Sequence, residues 1–344
     1  MDQPNFVKGN AGPQAATGFY LRDNLSGTGV APSSGPYNLC PDIIQSDIEV
    51  ADPAVTFGSN DSWKRAYGTE PVAGAQNYYY VRSMNGAAAQ EAGAVALNWA
   101  PAQIFNFPSA WKSNRLETAG REEIVDLSAQ PGFVAVGADA FVWTPPAFAA
   151  GSTYFNFVAS LQDGITPIQP PGITSWIDLA KLIGNPQYGF RNQVLVSGTT
   201  GWIHRQQLSV PTSFAAASLN FMLVASGFTG AKLSLLADTF TPSGQVIMIT
   251  PTVVAGDGIV AGAAMPMEPG YNASVAISCA LPAGVTLEAG ATLALVVTYP
   301  LSSVADFEQA MQAGAVRHIA LNGAVGPTPV AVVATVTFTV GAGS

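Results

Sequence analysis

The side chains that could ionise, attack or ligate are few in this chain. It holds 2 His and 2 Cys among 344 residues. His204 lies between Trp202-Ile203 and Arg205, and His318 follows Arg317. Neither sits in a Gly-x-Ser-x-Gly, Ser-x-x-Lys or His-Glu-x-x-His pattern, the spacings that bring a nucleophile to its base or two imidazoles to one metal. Both are read as structural or solvated. Cys40 has no neighbouring His to lower its pKa, so a thiolate nucleophile is not indicated. Cys40 and Cys279 are far apart in the chain and read as two buried small hydrophobes rather than a disulfide.

The carboxylates give an equally plain picture. Glu122, Glu123 and Asp126 follow Arg115 and Arg121, a mixed-charge stretch that reads as a solvated loop or edge. Asp47, Glu49 and Asp52 nearly alternate, which on a strand would put Asp47 and Glu49 on one polar outer face. Gly256-Asp-Gly258 reads as a hairpin turn, not a phosphate cradle. No catalytic residue, metal or cofactor is expected. The one stripe suited to recognition is Tyr78, Tyr80 and Arg82 in Asn77-Tyr-Tyr-Tyr-Val-Arg-Ser-Met-Asn85. With a period of two these three share a face and are expected to point outward, while Tyr79 and Val81 enter the core, Tyr79 with its hydroxyl at the rim. Tyr and Arg are enriched where surfaces recognise partners.

The elements that must position these residues are mostly strands. Runs of aromatic and β-branched residues bounded by Gly, Pro or Asn occur at 77–85, 94–99, 133–137, 141–143 and 153–158. They continue at 218–224, 232–236, 245–250, 274–278, 292–298 and 330–340. This spacing predicts an all-β fold of two antiparallel β-sandwich domains, each with a short helix near its C-terminal end. The helices are expected at 175–183 and 303–312, where Ser caps precede apolar periodicity and Gly184 or Gly314 ends it. Ser175 to Asp178 and Ser303 to Asp306 share one spacing, which suggests a repeated unit.

Charge divides the chain. Only 10% of residues are charged, against about 25% in an average soluble protein. Residues 206–344 contain Lys232 and Arg317 as their only Lys or Arg and six acids, so most of the charge lies before them. The expected organisation is an N-terminal arm (1–18), a first sandwich (19–200), and a charge-poor second sandwich (201–344), with Ser197–Gly201 as linker. A net charge of −9 argues against a sequence-independent grip on nucleic acid or an anionic membrane. No apolar run of about 18 residues suggests a transmembrane segment. The first residues show no basic region followed by an apolar stretch, so no secretory signal is expected from them.

Phe19-Tyr-Leu-Arg-Asp-Asn24, Pro32-Ser-Ser-Gly-Pro36, Pro41-Asp-Ile-Ile44, Asn77-Tyr-Tyr-Tyr-Val-Arg82 and Asn85-Gly86 follow one another in an order that resembles bacterial immunoglobulin-like modules of the CARDB adhesion type. The resemblance covers about residues 19–160. It implies a seven-strand-type sandwich with an accessory or binding role and transfers no active site. The favoured expectation is a non-enzymatic binding or assembly protein in an extracellular or particle-associated setting. Its protein partner, or a second copy, would meet the charge-poor second domain, because interface cores are depleted of charge. The alternative is a secreted effector or toxin component recognising a host surface, glycan or membrane, with a hydrolase less favoured.

Overall fold

The computed structural model describes residues 14–31, 36–68, 71, 74–145, 154–162, 172–319 and 328–341. The fold is mostly β. The first half contains β1 (Gln14–Ala15), β2 (Phe19–Tyr20), β3 (Val30–Ala31) and β4 (Ile43–Ser46), then the short helices α1 (Pro53–Phe57) and α2 (Asn60–Trp63). The long strands β5 (Asn77–Asn85) and β6 (Glu91–Pro101) lead through α3 (Pro108–Trp111) to β7 (Glu117–Thr118), β8 (Val125–Ala129), β9 (Val134–Val136) and β10 (Phe141–Trp143). β11 (Phe155–Gln162), α4 (Trp176–Ile183) and β12 (Tyr188–Arg191) complete it. The second half runs β13 (Gln193–Val196), β14 (Trp202–Ser209), β15 (Ala217–Ser226), β16 (Lys232–Ala237), β17 (Met248–Val253) and β18 (Gly258–Met267). It ends with β19 (Asn272–Ala280), β20 (Thr292–Pro300), α5 (Val304–Gln312), β21 (Val316–Ile319) and β22 (Thr328–Val340).

The two halves repeat one connectivity. In the first, β5, β10 and β7 adjoin in one sheet and β11, β6 and β8 in the facing sheet. In the second, β14, β19 and β16 adjoin in one sheet and β20, β15 and β18 in the other. Numbering each set of six along the chain, the orders are 1-5-3 and 6-2-4 both times, with β17 an added edge on β16. In each half a helix follows the sixth strand, and a strand then returns antiparallel beside it, β12 on β11 and β22 on β20. Successive strands therefore alternate between facing sheets, as in a jelly roll. The immunoglobulin order groups strands A, B, E and D against C, F and G, so it differs from this one. The alternation of apolar residues is the same in both arrangements, which is why strand patterns alone do not distinguish them.

The expected strands and both expected helices are present, with ends displaced by a few residues. The caps explain the helices. Ser175 accepts a hydrogen bond from the Asp178 N–H, and the Asp178 carboxylate accepts one from the Ser175 N–H, closing a capping box. Ser303 caps α5 in the same way, accepting from the Asp306 N–H at 3.0 Å. The 197–201 stretch joins β13 to β14 beside the second pair of sheets, where the Leu287 N–H donates to the Gly198 carbonyl.

The two sandwiches are fused. β13 pairs in parallel with β22, and the Ile104 N–H donates to the Gln207 carbonyl at 2.8 Å. One core runs from Phe105, Phe107 and Trp176 through Phe214 into the second sandwich. The rings of Trp176 and Phe107 each lie 5.0 Å from that of Phe214. Helix α4 buries Trp176, Ile177, Leu179 and Ala180 at this junction, so its cap holds the waist as well as the helix. Ser175→Ala is expected to lower unfolding free energy by about 1 kcal/mol, measured by urea titration.

Candidate functional site

The residues named from sequence lie on β5, the strand at the centre of the first sandwich. β4 and β2 pair along one edge of it, and β10 and β9 along the other. Tyr79 and Val81 do enter the core between the sheets. The outward face is not open as expected: Tyr78 is half-buried, whereas Tyr80 is 1% exposed and Arg82 is fully buried. The cause is a cover made by α1, α2 and the chain that follows. Phe57 lies 5.5 Å from the Tyr80 ring, and the Tyr80 hydroxyl accepts from the Val50 N–H at 2.7 Å. A period of two assigns residues to faces but does not show which face another segment covers.

Arg82 belongs to a buried ion cluster instead of a recognition surface. The carboxylate of Asp42 accepts from Arg22 Nη2 at 2.5 Å and Nε at 3.1 Å, and from Arg82 Nε at 3.1 Å. One acid thus faces two guanidiniums, all three nearly or wholly inaccessible. Carbonyl oxygens receive further donors: Arg22 gives to Trp63, and Arg82 to Ser62, Arg65 and Pro41. The Arg22 guanidinium also lies 3.4 Å above the Trp63 ring, a cation–π contact in a dry site. Burial lowers the Arg82 pKa, and the Asp42 charge opposes that shift.

On its core side, β5 brings Tyr79 to a cavity of about 220 Å³. Tyr67, Tyr154, Phe155, Phe157 and Arg191 share its lining. Arg191 is anchored by donating to the Ile43 carbonyl at 2.5 Å. The Tyr79 hydroxyl is buried without a hydrogen-bond partner, not at the rim as expected, and burial raises its pKa. This cavity can accept an acceptor-bearing group, and its described lining residues form no nucleophile and base pair.

The remaining chemistry-bearing residues are dispersed. His204 is wrapped by rings, with Tyr154 at 4.9 Å, Trp202 at 5.2 Å and Phe338 at 5.7 Å. Desolvation lowers its pKa to about 4, so it is neutral at pH 7. The side chain of His318 lies outside the described residues. Cys40 and Cys279 are free and buried, and burial raises both pKa values, that of Cys279 to about 11. Glu123 pairs with Arg115 at 3.0 Å on the surface, and Asp126 points outward from the edge strand β8. Asp47 and Glu49 lie in an exposed loop, since β4 ends at Ser46, and Asp52 caps α1.

The second sandwich carries the other candidate surface. The strands β13, β22, β20, β15 and β18 lie side by side without one Asp, Glu, Lys, Arg or His, and the short strand β21, which joins the same sheet on β22, brings Arg317 and His318. Leu219, Phe221, Leu223, Leu293, Leu295 and Val297 fill its core side. On the opposite face Asn220, Val224, Ala294 and Val296 are half-buried and Ala264 is exposed. β18 forms the edge of this sheet, pairing on one side with β15.

No protein-family model matches the chain, and no curated protein matches it. Among solved structures it aligns with the crystal structure of the CupB6 tip adhesin from Pseudomonas aeruginosa, over 94% of this chain and 99% of that one. The identity is 8% and the TM-score 0.17, too little overlap to support an argument. The CARDB-type resemblance of residues 19–160 therefore rests on its residues alone.

Asp42→Asn leaves two buried guanidiniums without a counter-charge and is expected to cost about 3–5 kcal/mol in denaturant unfolding. His204 gives a pH signature. Its folded pKa is depressed below the unfolded value of about 6.5, so as pH falls from about 6.5 toward 4 the unfolded chain gains a proton that the folded chain refuses. Stability is lost across that window, and His204→Gln is expected to flatten this component in thermal midpoints recorded against pH.

Proposed function

We propose that this is a non-enzymatic binding or assembly protein that acts through its β-sandwich surfaces, with the uncharged strands β20, β15 and β18 of the second sandwich as its contact face. The observation that carries this reading is the run of adjacent strands β20, β15 and β18 without an Asp, Glu, Lys, Arg or His, bordered by β18. Removing a charge from water is costly, and a face without charges meets a partner without that cost. Edge strands of soluble monomers are commonly blunted by Lys, Pro or a cover. β18 has no charged residue, and its single Pro266 lies next to its end.

A second copy of the chain fits this face, since two copies meeting there bring no like charges together although each chain carries −9. An extracellular or particle-associated setting belongs to the same reading.

Sedimentation velocity over a wide concentration range tests this. The native chain is expected to self-associate, and Ala264→Lys, at an exposed position of β18, to weaken association at least roughly tenfold, the effect of about 1.4 kcal/mol. A native chain that stays monomeric throughout, or an Ala264→Lys chain that associates as well as the native one, overturns the assignment.

A further inference from the structure

A separate cleft of about 450 Å³ opens at one end of the first sandwich. Its walls are the start of β6, the end of β11, the turn after α4 and the short segment 15–19. That volume is within the range of small-molecule sites, about 300–1,000 Å³. Two acceptor oxygens in its lining are buried without a hydrogen-bond partner, Oε2 of Glu91 and Oε1 of Gln162. Gln162 is 4% exposed, so solvent does not readily satisfy its amide. Leaving a buried acceptor unpaired costs about 1–3 kcal/mol, and each such group in a folded protein calls for an occupant or another compensation.

The backbone beside these oxygens is kept small. A Cβ on Gly18 would sit 3.2 Å from both Glu91 carboxylate oxygens. A Cβ on Gly93 would sit 3.0 Å from the Gln162 carbonyl oxygen and 3.3 Å from the Phe19 ring. Glycines therefore stand against Glu91, Gln162 and Phe19, the residues that give the cleft its acceptors and its aromatic wall. Lys181 lines the same cleft and supplies donors.

The charges limit the ligand class. A cation would meet Lys181 and an anion would meet Glu91, so one acid and one base in the same lining favour a ligand without net charge. Such a ligand has to donate to Glu91 and Gln162, accept from Lys181 and place carbon against Phe19. A hydroxyl both donates and accepts, and a sugar ring also has C–H faces. We propose that this cleft binds a neutral carbohydrate of one or two rings through Glu91, Gln162 and Lys181. The site is independent of the assembly face.

Ligand-observed NMR and calorimetry on the full chain test the assignment. The probes are the methyl glycosides of glucose, galactose, mannose and N-acetylglucosamine, with lactose and maltose, and free lysine and glycine as zwitterionic controls. At least one saccharide is expected to bind, and Glu91→Gln and Gln162→Leu each to weaken it roughly tenfold or more. Gln162→Leu removes an unpaired buried oxygen, so the thermal midpoint of the free protein is expected to hold or rise while affinity falls. That opposition separates a ligand contact from a structural one. No saccharide binding by the native chain, binding of the amino acids alone, or saccharide binding unchanged in both variants overturns the proposal.

Discussion

The first sandwich depends on one carboxylate. Asp42 holds Arg22 and Arg82, and through them joins the chain after β2 to the central strand β5 and the α2 segment. Transfer of three charged groups into a dry interior is unfavourable unless every donor finds an acceptor. Here the carboxylate oxygens take three donors of the two guanidiniums, and main-chain carbonyls of Trp63, Ser62, Arg65 and Pro41 take others. The carbonyls of Ser62 and Trp63 end the short helix α2, and those of Arg65 and Pro41 lie outside any ladder. The cluster therefore fixes the path of a segment with little regular structure, and that segment in turn hides Tyr80. A buried ion cluster is weak evidence for stability, but it requires a single arrangement of the groups around it.

How far the sequence could be read follows from the range of each signal. β5, β10 and α4 are legible because alternation, aromatic content and Ser caps are local. The short helices α1 and α2 are too brief for a periodic pattern, so the cover over Tyr80 and Arg82 has no signature in composition. β8 was obscured by its charges: Asp126 and its neighbours resemble a loop, yet Val125, Leu127 and Ala129 alternate inward as an edge strand. The sheet order was not legible either, since strand patterns do not record which strand lies beside which. The residues of the carbohydrate cleft were likewise invisible. Glu91 and Gln162 are distant in sequence and line one cleft because β6 and β11 pair, with Gln162 opposite Ala94.

Charge was legible at long range but at coarse resolution. Its scarcity after residue 206 resolves in the structure to the adjacent strands β13, β22, β20, β15 and β18, while β21 on β22 holds Arg317 and the partner sheet of the second sandwich holds Lys232 and Arg205. The two ligand-facing features use different residues and different physics. The sheet offers area without desolvation cost, and the cleft offers a few unpaired polar atoms with directional demands. The fused core from Phe105 to Phe214 connects the halves that carry them.

The parallel pairing of β13 with β22 has a consequence for synthesis. Val196 meets Val340 across that ladder, so the strand leaving the first sandwich gains its partner only after residues 328–340 have been made. A nascent chain can close the first pair of sheets early, while β13 waits through the whole second half with an unfilled edge. Contacts of such wide sequence separation are slow to form. The ribosome would thus carry for some time a half-built molecule whose waist is unfinished, the stage at which pairing with a neighbouring chain competes with completion.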